Sequence, residues 1–284
     1  MTTVTQALAA ARTAGLERLD AQLLLAHVLR KDRSWLVAHD QDELPTQALT
    51  RFQALWQRSA AGEPTAYLLG EREFHGLTLQ VSPAVLVPRP DTETLVDWAL
   101  ELLACELADR PTPQVVDLGT GSGAIALAVK HRFPAAEMTA LDFSEAALAV
   151  ARANAERLGL AVRLLHSDWW QAVAGKTFDL ALSNPPYIAG DDPHLDALQH
   201  EPRSALTPEG DGLAAIRTLV ADAPPHLRPG AWLLIEHGWD QAEAVQALLQ
   251  RAGFAQVRTR RDLAGHGRCT GGRWPATGQP AAAS

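Results

Sequence analysis

From residue 91 onward, short apolar segments typical of buried strands alternate with helical segments of about ten to fifteen residues. A helix between consecutive strands is the connection that parallel strands require. The chain is therefore expected to be an α/β protein with a doubly wound, mostly parallel sheet. Strands are predicted at 114–118, 138–142, 162–167, 178–183, 231–237, 255–260 and 268–274, and helices directly after 91 and at 123–132, 144–158, 212–222 and 240–252.

The segment before residue 74 has a helical pattern without strands. Residues 23–29 and 49–56 carry apolar side chains at helical spacing, and Gly62 and Pro64 end that pattern. Residues 77–81 then alternate between apolar and polar side chains, and a second apolar run follows at 85–87. We predict a small all-helical N-terminal domain over 1–73, a β-hairpin linker over 74–90, an α/β domain over 91–275 and a disordered tail over 276–284.

Charge and cysteine content narrow the class of protein. The 284-residue chain has a formal net charge of −8, whereas non-specific nucleic-acid binding depends on Lys and Arg that neutralise phosphates. Cys105 and Cys269 are too few for a disulfide framework or a zinc site. The sequence opens without a signal-peptide pattern, and it contains no apolar run long enough to cross a bilayer. We expect a cytoplasmic protein with no membrane contact and no stable nucleic-acid binding.

A glycine-rich turn follows the first strand of the α/β segment. The run Val115–Gly123 reads Val-Val-Asp-Leu-Gly-Thr-Gly-Ser-Gly and leads directly into a predicted helix. Glycine permits positive φ angles and close approach of the backbone to a ligand. Ligands of doubly wound sheets bind beyond the carboxyl ends of the strands. The turn therefore predicts a nucleoside-cofactor site, and Asp142, at the end of the next strand, is placed to bind two ribose hydroxyls.

The loop alone does not decide between NAD and S-adenosylmethionine, because Gly119, Gly121 and Ala124 also satisfy the dinucleotide pattern. Two features favour S-adenosylmethionine. Asp117 precedes the loop, where a carboxylate can meet an ammonium group. Asp168 ends the third strand, where it can accept a hydrogen bond from an adenine amino group, with the Trp169 ring beside the base.

A second motif, Asn184-Pro185-Pro186-Tyr187, follows the fourth strand. Proline lacks a backbone donor and has a fixed φ, so two prolines end the strand and hold the preceding carbonyl groups rigidly. Such a segment at the carboxyl end of a strand is well suited to present hydrogen-bond acceptors. We predict that the Asn184 side-chain oxygen and the Pro185 carbonyl accept the two N–H groups of a planar amide or amine.

This arrangement suits methylation of an amide nitrogen. An amide nitrogen is a weak nucleophile, because its lone pair is delocalised into the carbonyl. Positive charge develops on it as the methyl group is transferred, and fixed acceptors stabilise that charge. Tyr187 can stack on the planar target, and positioning supplies the remainder of the catalysis. A strong general base is not required, because the proton can leave after transfer.

With both motifs present, the chain resembles class I methyltransferases that act on planar nitrogens, and over residues 5–274 it is similar to the protein-(glutamine-N5) methyltransferases of class 1 peptide chain release factors. One mild departure is Asp91, where that family commonly has Glu. The matching segments are Pro64-Thr65-Ala66-Tyr67-Leu68-Leu69-Gly70, Val87-Pro88-Arg89-Pro90-Asp91-Thr92-Glu93, Asp191-Asp192-Pro193-His194, Glu201-Pro202-Arg203-Ser204-Ala205-Leu206 and Leu234-Ile235-Glu236-His237-Gly238.

The resemblance implies a Rossmann-like catalytic domain, a helical N-terminal domain that helps to dock the release factor, and a monomer. It implies S-adenosylmethionine as methyl donor and the glutamine of a Gly-Gly-Gln tripeptide as acceptor. Carried over by position, the glutamine is held by Asn184, Pro185, Pro186 and Tyr187. The cofactor is contacted by Gly119, Thr120, Gly121, Ser122, Gly123, Asp142, Trp169 and Asn184.

Two other functions share part of this pattern. An adenine-N6 methyltransferase of DNA or RNA would use both motifs, but it would flip its base out and should carry a basic groove. The charge of −8 counts against it. An NAD-binding or non-catalytic module has no use for the Asn184–Tyr187 segment.

A few residues outside the two motifs keep more than one interpretation. Glu236 ends a strand and either shapes the site or is structural, whereas His237 is read as structural. Asp191, Asp192 and His194 are read as a loop rather than a metal site. The basic run Arg258, Arg260, Arg261 and Arg268 is read as a solvated face, with a contact to a partner or to RNA as the alternative.

Overall fold

The computed structural model describes residues 2–275, so the predicted tail at 276–284 lies outside the described residues. The chain divides between Glu71 and Arg72 into two compact units. Each unit has its own hydrophobic core and is described by itself.

The first unit is helical. Its core is built around the fully buried side chains of Leu24, Leu25 and Phe52. The Thr3 side chain caps the first helix in a reciprocal pair with Gln6, as the spacing of these residues predicts. The described residues of this unit form α1 (Val4–Thr13), α2 (Arg18–Leu29), α3 (Arg33–Ala38), α4 (Thr46–Ala60) and α5 (Thr65–Leu69).

A two-stranded hairpin follows, formed by β1 (Glu71–Phe74) and β2 (Leu77–Gln80). His75 and Gly76 at its turn have positive φ angles of 49° and 80°, as a type I′ turn requires.

The expectation that residues 85–87 form the second strand of this hairpin is wrong. Val85 and Val87 are buried, but in a loop, and the Val87 amide donates to the Glu201 carboxylate at 2.9 Å instead of to a neighbouring strand. Burial without a strand produces the same apolar spacing, and the charged segment Glu71–Phe74 gives little strand signal in the sequence.

The remainder of the second unit alternates helices and strands, as predicted. Its elements are α6 (Glu93–Ala104), β3 (Gln114–Leu118), α7 (Ala124–Arg132), β4 (Glu137–Asp142), α8 (Glu145–Leu158), β5 (Val162–His166), β6 (Phe178–Ser183), α9 (Arg203–Leu206), α10 (Ala214–Asp222), β7 (Leu227–Glu236), α11 (Ala242–Arg251), β8 (Ala255–Arg261) and β9 (Gly267–Arg273).

Seven strands form one sheet in the order β5-β4-β3-β6-β7-β9-β8. Strands β3 to β7 pair in parallel, and β9 runs antiparallel to both β7 and β8. The chain first builds outward from β3 to β5 and then returns to place β6 on the other side of β3. The topological switch point, where ligands bind in such sheets, therefore lies between the carboxyl ends of β3 and β6.

Both faces of the sheet are covered by apolar helices, and successive residues of each strand alternate between the two faces. Val115, Leu180 and Leu234 pack with α6 and α7, whereas Val116, Ala181 and Leu233 pack with α10 and α11. Asp117 follows Val115 by two residues and Glu236 follows Leu234 by two residues, so the same alternation directs both carboxyl groups to the α6 face.

Asp179 connects the beginnings of three strands, at the end of the sheet opposite to the switch point. Its carboxylate is 1% exposed, accepts from the Gln114 amide at 2.8 Å, and forms ion pairs with Arg110 at 3.5 Å and Arg228 at 2.7 Å. The interaction links the first residues of β3, β6 and β7.

Asn154 of α8 is fully buried and connects three segments. Its side-chain NH2 donates to the carbonyls of Gln80 at 3.0 Å and Ser122 at 2.9 Å, and its oxygen accepts from the Gln80 amide at 2.7 Å. It therefore joins the hairpin and the glycine turn to α8.

Among the helices of residues 2–275, none combines the length and apolarity that a membrane span requires.

Candidate active site

A cavity of about 420 Å³ opens at the carboxyl ends of β3, β4, β5 and β6, within the size range of small-molecule sites. The glycine turn, the ends of β4 and β5, and the first residues after β6 form most of its wall. Further lining residues of the cavity come from the loop before α6, the start of α6, the start of α7 and the segment after residue 201: Ala84, Val85, Leu86, Pro88, Arg89, Thr92, Ala124, Ile125, Pro202, Ser204 and Ala205. All of its lining residues belong to the second unit.

The glycine turn lies against the cavity through Gly119, Thr120, Gly121 and Ser122. Gly119 and Gly121 have φ angles of 76° and 56°, which residues other than glycine rarely adopt. A Cβ added at Gly119 would also lie 3.6 Å from the Trp169 ring. The absence of side chains at these positions leaves room for a ligand directly above the backbone.

Gly123, the last glycine of the turn, is not among the described residues that line the cavity. A Cβ at this position would lie 2.9 Å from Leu127 Cδ1. Gly123, whose φ is 84°, therefore allows α7 to begin close beneath the loop.

Asp117 is fully buried beneath the turn. Its Oδ2 accepts from the Thr120 hydroxyl at 2.6 Å, while its Oδ1 has no hydrogen-bond partner among residues 2–275. Burial raises the pKa of Asp117 to about 7, and the hydrogen bond from Thr120 opposes that rise. Asp117 is not among the described residues that line the cavity; its unsatisfied buried oxygen has the chemistry to pair with a cationic group.

Asp142 ends β4 and lines the cavity. Its two oxygens accept from the backbone amides of Gly121 and Ser144, each at 2.8 Å. Burial raises the pKa of Asp142, and these backbone donors limit the rise. The hydrogen bonds fix the carboxylate at the edge of the glycine turn, where ribose hydroxyls would meet it.

Asp168 and Trp169 follow β5 and also line the cavity. Asp168 is exposed and accepts from the Gln171 side chain at 3.3 Å. Trp169 has a φ of 46°, unusual for a bulky residue and typical of functional sites. The Ser167 hydroxyl donates to the Trp169 carbonyl at 2.6 Å and holds this conformation.

The Asn184–Tyr187 segment follows β6, but its four residues do not share one environment. Asn184 and Pro186 line the cavity, whereas Pro185 and Tyr187 are not among the described lining residues. Tyr187 packs against the apolar core on the α10 face, and its carbonyl accepts from Gln241 Nε2 at 2.9 Å. Burial and the nearby charge of Glu236 raise the pKa of Tyr187.

Beside Asn184 lie Thr92, which also lines the cavity, and Glu236, for which the sequence left a role in the site open. Asn184 Nδ2 lies 3.2 Å from the Thr92 hydroxyl oxygen, to which it donates. Glu236, only 1% exposed, lies close enough to the side chains of Thr92 and Asn184 for both to act on its pKa as hydrogen-bond donors, and its Oε2 has no hydrogen-bond partner among residues 2–275. Burial raises the pKa of Glu236 to about 7, and these hydrogen bonds oppose the rise.

From the sequence, Thr92 was part of a matching segment next to the helix predicted directly after residue 91, with no role in the site. It does occupy the N-cap position, but within the described chain its side chain makes no capping hydrogen bond. The sequence does contain one signal for the contact between Asn184 and Glu236. Asn184 follows Leu182 by two residues and Glu236 follows Leu234 by two residues, so alternation along paired strands β6 and β7 puts Asn184 and Glu236 on the same face of the sheet.

A second buried carboxylate, Glu201, organises part of the cavity wall. It is 5% exposed, forms an ion pair with Arg89 and accepts from the Val87 amide. Arg89 and Pro202 line the cavity. From the sequence, Arg89 and Glu201 were recognised only as parts of matching segments. Their interaction could not be predicted, because the two residues are more than a hundred positions apart along the chain.

The remaining candidates have structural surroundings. The His237 ring contacts the Thr270 hydroxyl and the Gly238 carbonyl. Over residues 2–275, no group of three or more His, Cys, Asp or Glu residues is arranged to hold a metal ion. Three members of the basic run form ion pairs rather than a purely solvated face: Arg258 with Glu106, Arg260 with Glu101, and Arg268 with Asp91 and Asp262.

Comparison with known proteins extends this picture. Residues 92–216 match the family model of the methyltransferase small domain, and residues 1–70 match that of the PrmC N-terminal domain. The chain is 53% identical to a release factor glutamine methyltransferase of Bordetella pertussis, over 91% of this chain and 95% of that protein. A protein of the same name from Xylella fastidiosa is 50% identical, over 95% of this chain and 98% of that protein.

Among solved structures, a methyltransferase from Pyrococcus furiosus has a similar fold. The TM-score is 0.52 at 22% identity, over 79% of this chain and 98% of that chain. This similarity supports the doubly wound fold that the alternating pattern predicts and the class I methyltransferase fold that the resemblance implies.

Proposed function

This chain belongs to the family of release factor glutamine methyltransferases, and we propose on that premise that it methylates the side-chain amide nitrogen (N5) of the glutamine in the Gly-Gly-Gln motif of class 1 peptide chain release factors. The single observation that carries the proposal is that Asn184 lines the same cavity as the glycine turn. Since β3 and β6 are neighbours and Leu118 pairs with Ser183, a methyl donor on the turn and an amide at Asn184 would meet at the switch point.

The residues of the cavity fit S-adenosylmethionine as the methyl donor. Asp142 offers a fixed carboxylate to the ribose hydroxyls, and Asp168 and Trp169 offer an acceptor and a ring to the adenine. The unpartnered Oδ1 of Asp117 supports a role towards the ammonium group. When bound, the cofactor supplies a methyl group on a positively charged sulfur.

The backbone of Gly119–Gly123 surrounds this binding region. Thr120 holds Asp117 in place, and Gly121 and Ser122 line the cavity. Gly123 acts through the close packing of α7 beneath the loop rather than by direct contact.

Asn184 and Pro185 hold the acceptor amide in this proposal. The Asn184 oxygen and the Pro185 carbonyl take its two N–H groups and direct the nitrogen towards the methyl donor. As positive charge develops on that nitrogen, the fixed acceptors stabilise it more than they stabilise the bound substrate. The proton leaves to solvent after transfer, so no side chain has to act as a strong base. Pro186 lines the cavity beside the planar group, and Tyr187, which packs against the apolar core, is proposed to support the segment and to help exclude water.

The first unit, residues 2–71, is proposed to help dock the release factor, in keeping with its match to the PrmC N-terminal domain. The enzyme is proposed to act as a cytoplasmic monomer without stable nucleic-acid binding. The ion pairs of Arg258, Arg260 and Arg268 support the last point, because these side chains already have acidic partners.

The proposed substrate is tested by incubating the protein with tritiated S-adenosylmethionine and, separately, a purified bacterial release factor, ribosomal RNA and duplex DNA. We expect label on the release factor and none on either nucleic acid. A release factor in which the glutamine of Gly-Gly-Gln is replaced by glutamate is the matched control and should remain unlabelled. Label on nucleic acid alone would instead identify an adenine-type methyltransferase.

A further inference from the structure

We propose that Glu236 is a positioning residue that fixes the orientation of the Asn184 amide, with its oxygen towards the cavity, and strengthens that oxygen as an acceptor. The inference rests on the proposed function, because it concerns how Asn184 binds the substrate amide. It assigns a task to a buried carboxyl group that the proposed mechanism does not otherwise use.

The sheet register places Glu236 beside Asn184. Parallel strands β6 and β7 pair Leu182 with Leu234 and Ser183 with Ile235. The next step along both strands reaches Asn184 and Glu236, and neighbouring strands lie about 4.8 Å apart. Strand phase directs both side chains to the α6 face, where Thr92 stands at the start of α6.

The hydrogen-bond capacity of the three side chains determines the orientation of Asn184. An asparagine amide has two N–H donors and one oxygen acceptor. One N–H goes to the Thr92 hydroxyl at 3.2 Å. Glu236, whose pKa both Thr92 and Asn184 lower, is the acceptor beside the second N–H and the Thr92 hydroxyl hydrogen. The two Asn184 donors are therefore engaged by Thr92, which itself lines the cavity, and by Glu236, which does not, and the amide oxygen is left for the substrate.

The opposite orientation of the amide is disfavoured by the carboxylate. Rotating Asn184 by half a turn would bring its oxygen against Glu236 and direct two N–H groups at a substrate amide that also presents N–H groups. In a buried site both contacts are costly, since like partial charges and unpaired polar groups are poorly screened there.

The charge of Glu236 also acts through the Asn184 amide. A carboxylate that accepts from the N–H side of an amide polarises it and makes its oxygen a stronger acceptor, because linked hydrogen bonds reinforce one another. That oxygen faces the nitrogen on which positive charge develops, so the effect is larger in the transition state than in the bound substrate. Glu236 is not among the described residues that line the cavity, so it acts through Asn184 rather than on the substrate.

The surroundings of Glu236 affect when it is ionised. Arg268 and Asp91 are close enough to influence its charge, in opposite directions. Tyr187 and Cys269, in turn, are influenced by Glu236. Arg268 therefore favours the ionised form of Glu236, whereas burial and the charge of Asp91 disfavour it.

The central experiment is a double-mutant cycle of Glu236→Gln and Asn184→Ala in the full chain. Methyl transfer to a purified release factor is measured at saturating tritiated S-adenosylmethionine, and cofactor affinity is measured by calorimetry. Asn184→Ala should lower kcat by about 10²–10³, as loss of one fixed transition-state contact does. Glu236→Gln should lower kcat by about 10- to 100-fold, as loss of a group that orients a functional ligand does, with cofactor affinity unchanged.

The coupling between the two substitutions distinguishes positioning from a structural role. Because Glu236 acts through Asn184, the double variant should be no slower than Asn184→Ala alone. Asp179→Asn is the matched control, because it neutralises another buried carboxylate at the opposite end of the sheet. It should reduce stability while kcat stays at the wild-type value. If Glu236→Gln fails to fold, Thr92→Val takes its place in the double-mutant cycle with Asn184→Ala. This substitution removes the hydroxyl that contacts both Asn184 and Glu236.

The outcomes separate this inference from the proposed function. Near-normal turnover of Asn184→Ala would overturn the substrate-binding role of Asn184. Slow Asn184→Ala with wild-type kcat for Glu236→Gln would leave that role standing and overturn the positioning role of Glu236. An equal loss from Glu236→Gln in both backgrounds would also overturn it.

A pH profile gives an independent readout. The ionised form is the one that polarises Asn184, so kcat of the wild type at saturating cofactor should rise as pH increases through about 7, the pKa of buried Glu236. Glu236→Gln cannot ionise and should lack this rise. The same rise in both proteins would contradict the proposal.

Discussion

Asp117 is the residue on which cofactor binding and stability are expected to depend most clearly on pH. It lies fully buried beneath the glycine turn, with one oxygen bonded to Thr120 and the other unpartnered within the described chain. Its pKa of about 7 means that ionising it in the folded protein is unfavourable without a cation beside it.

Stability should fall as pH rises because of this group. An aspartate in the unfolded chain titrates near 3.9, so between about pH 4 and pH 7 the folded state holds the proton that the unfolded state releases. The contribution is fully present below pH 4 and is lost as pH rises towards 7, by up to roughly 1.4 kcal/mol for each pH unit.

Urea unfolding of the wild type and of Asp117→Asn, at pH values from 5 to 8, measures this contribution. The difference in unfolding free energy should shift in favour of Asp117→Asn as pH rises to 7 and then level off. Other groups, Glu236 included, are present in both proteins and cancel. A difference that does not change with pH would contradict the raised pKa.

At the scale of single residues, the sequence predicted which side chains stand at strand ends, because strand phase and the glycine turn are local patterns. Asp142, Asp168, Trp169 and Asn184 all line the cavity. The sequence did not predict that Thr92 and Glu236 meet Asn184, since that depends on the sheet order and on the approach of α6, which no local pattern specifies.

At the scale of elements, Asn154 of α8 is the connection between the glycine turn and the hairpin. Its side chain forms three hydrogen bonds, to Gln80 and Ser122, and is fully buried. A buried group that loses its partner costs about 1–3 kcal/mol. Because one of the bonds holds the backbone of the turn, cofactor binding should depend on Asn154 as well as stability.

Asn154→Ala is expected to lower the unfolding free energy by roughly 3 kcal/mol and to weaken S-adenosylmethionine binding. Chemical denaturation and calorimetry measure the two effects. Arg157→Ala is the control on the same helix, because Arg157 is exposed and also contacts the hairpin, at Thr78. It donates to Asn154 only at 3.5 Å, so its loss leaves the bonds of Asn154 to Gln80 and Ser122 in place. Cofactor affinity that is equal in both variants would contradict the connection through Ser122.

The strands and helices of the sheet follow the sequence prediction closely, whereas the hairpin does not. Parallel strands buried on both faces are continuous apolar runs with glycine or polar residues at their ends, a pattern that is easy to locate. The loop at 81–87 has the same apolar content but is held by Glu201. A contact of that sequence separation cannot be predicted from local spacing.

At the scale of the whole molecule, all residues that line the cavity lie in the second unit, between positions 84 and 205. The first unit has a separate core and contributes no lining residue among those described. The division of labour that the sequence suggested, docking in one unit and chemistry in the other, remains a proposal that can be tested on the intact chain.

Hydrogen exchange with and without S-adenosylmethionine provides that test. Cofactor binding should slow exchange at the backbone amides of 119–123, 142–147 and 167–169, since ligands stabilise the states that bind them. Amides of residues 2–71 should exchange at the same rate in both conditions, but more slowly when a release factor is added. Protection of the first unit by the cofactor alone would contradict this division.

Thr92 illustrates a conflict between helix capping and activity. A residue at the first position of a helix usually stabilises it by satisfying a free backbone amide, but the Thr92 hydroxyl faces Asn184 and Glu236 instead. Replacing it with aspartate, ordinarily a good residue at the start of a helix, would bury a second negative charge beside Glu236, because Thr92 is itself only 4% exposed. Substitutions of Thr92 chosen for helix capping alone should therefore slow turnover without making the protein more resistant to heat.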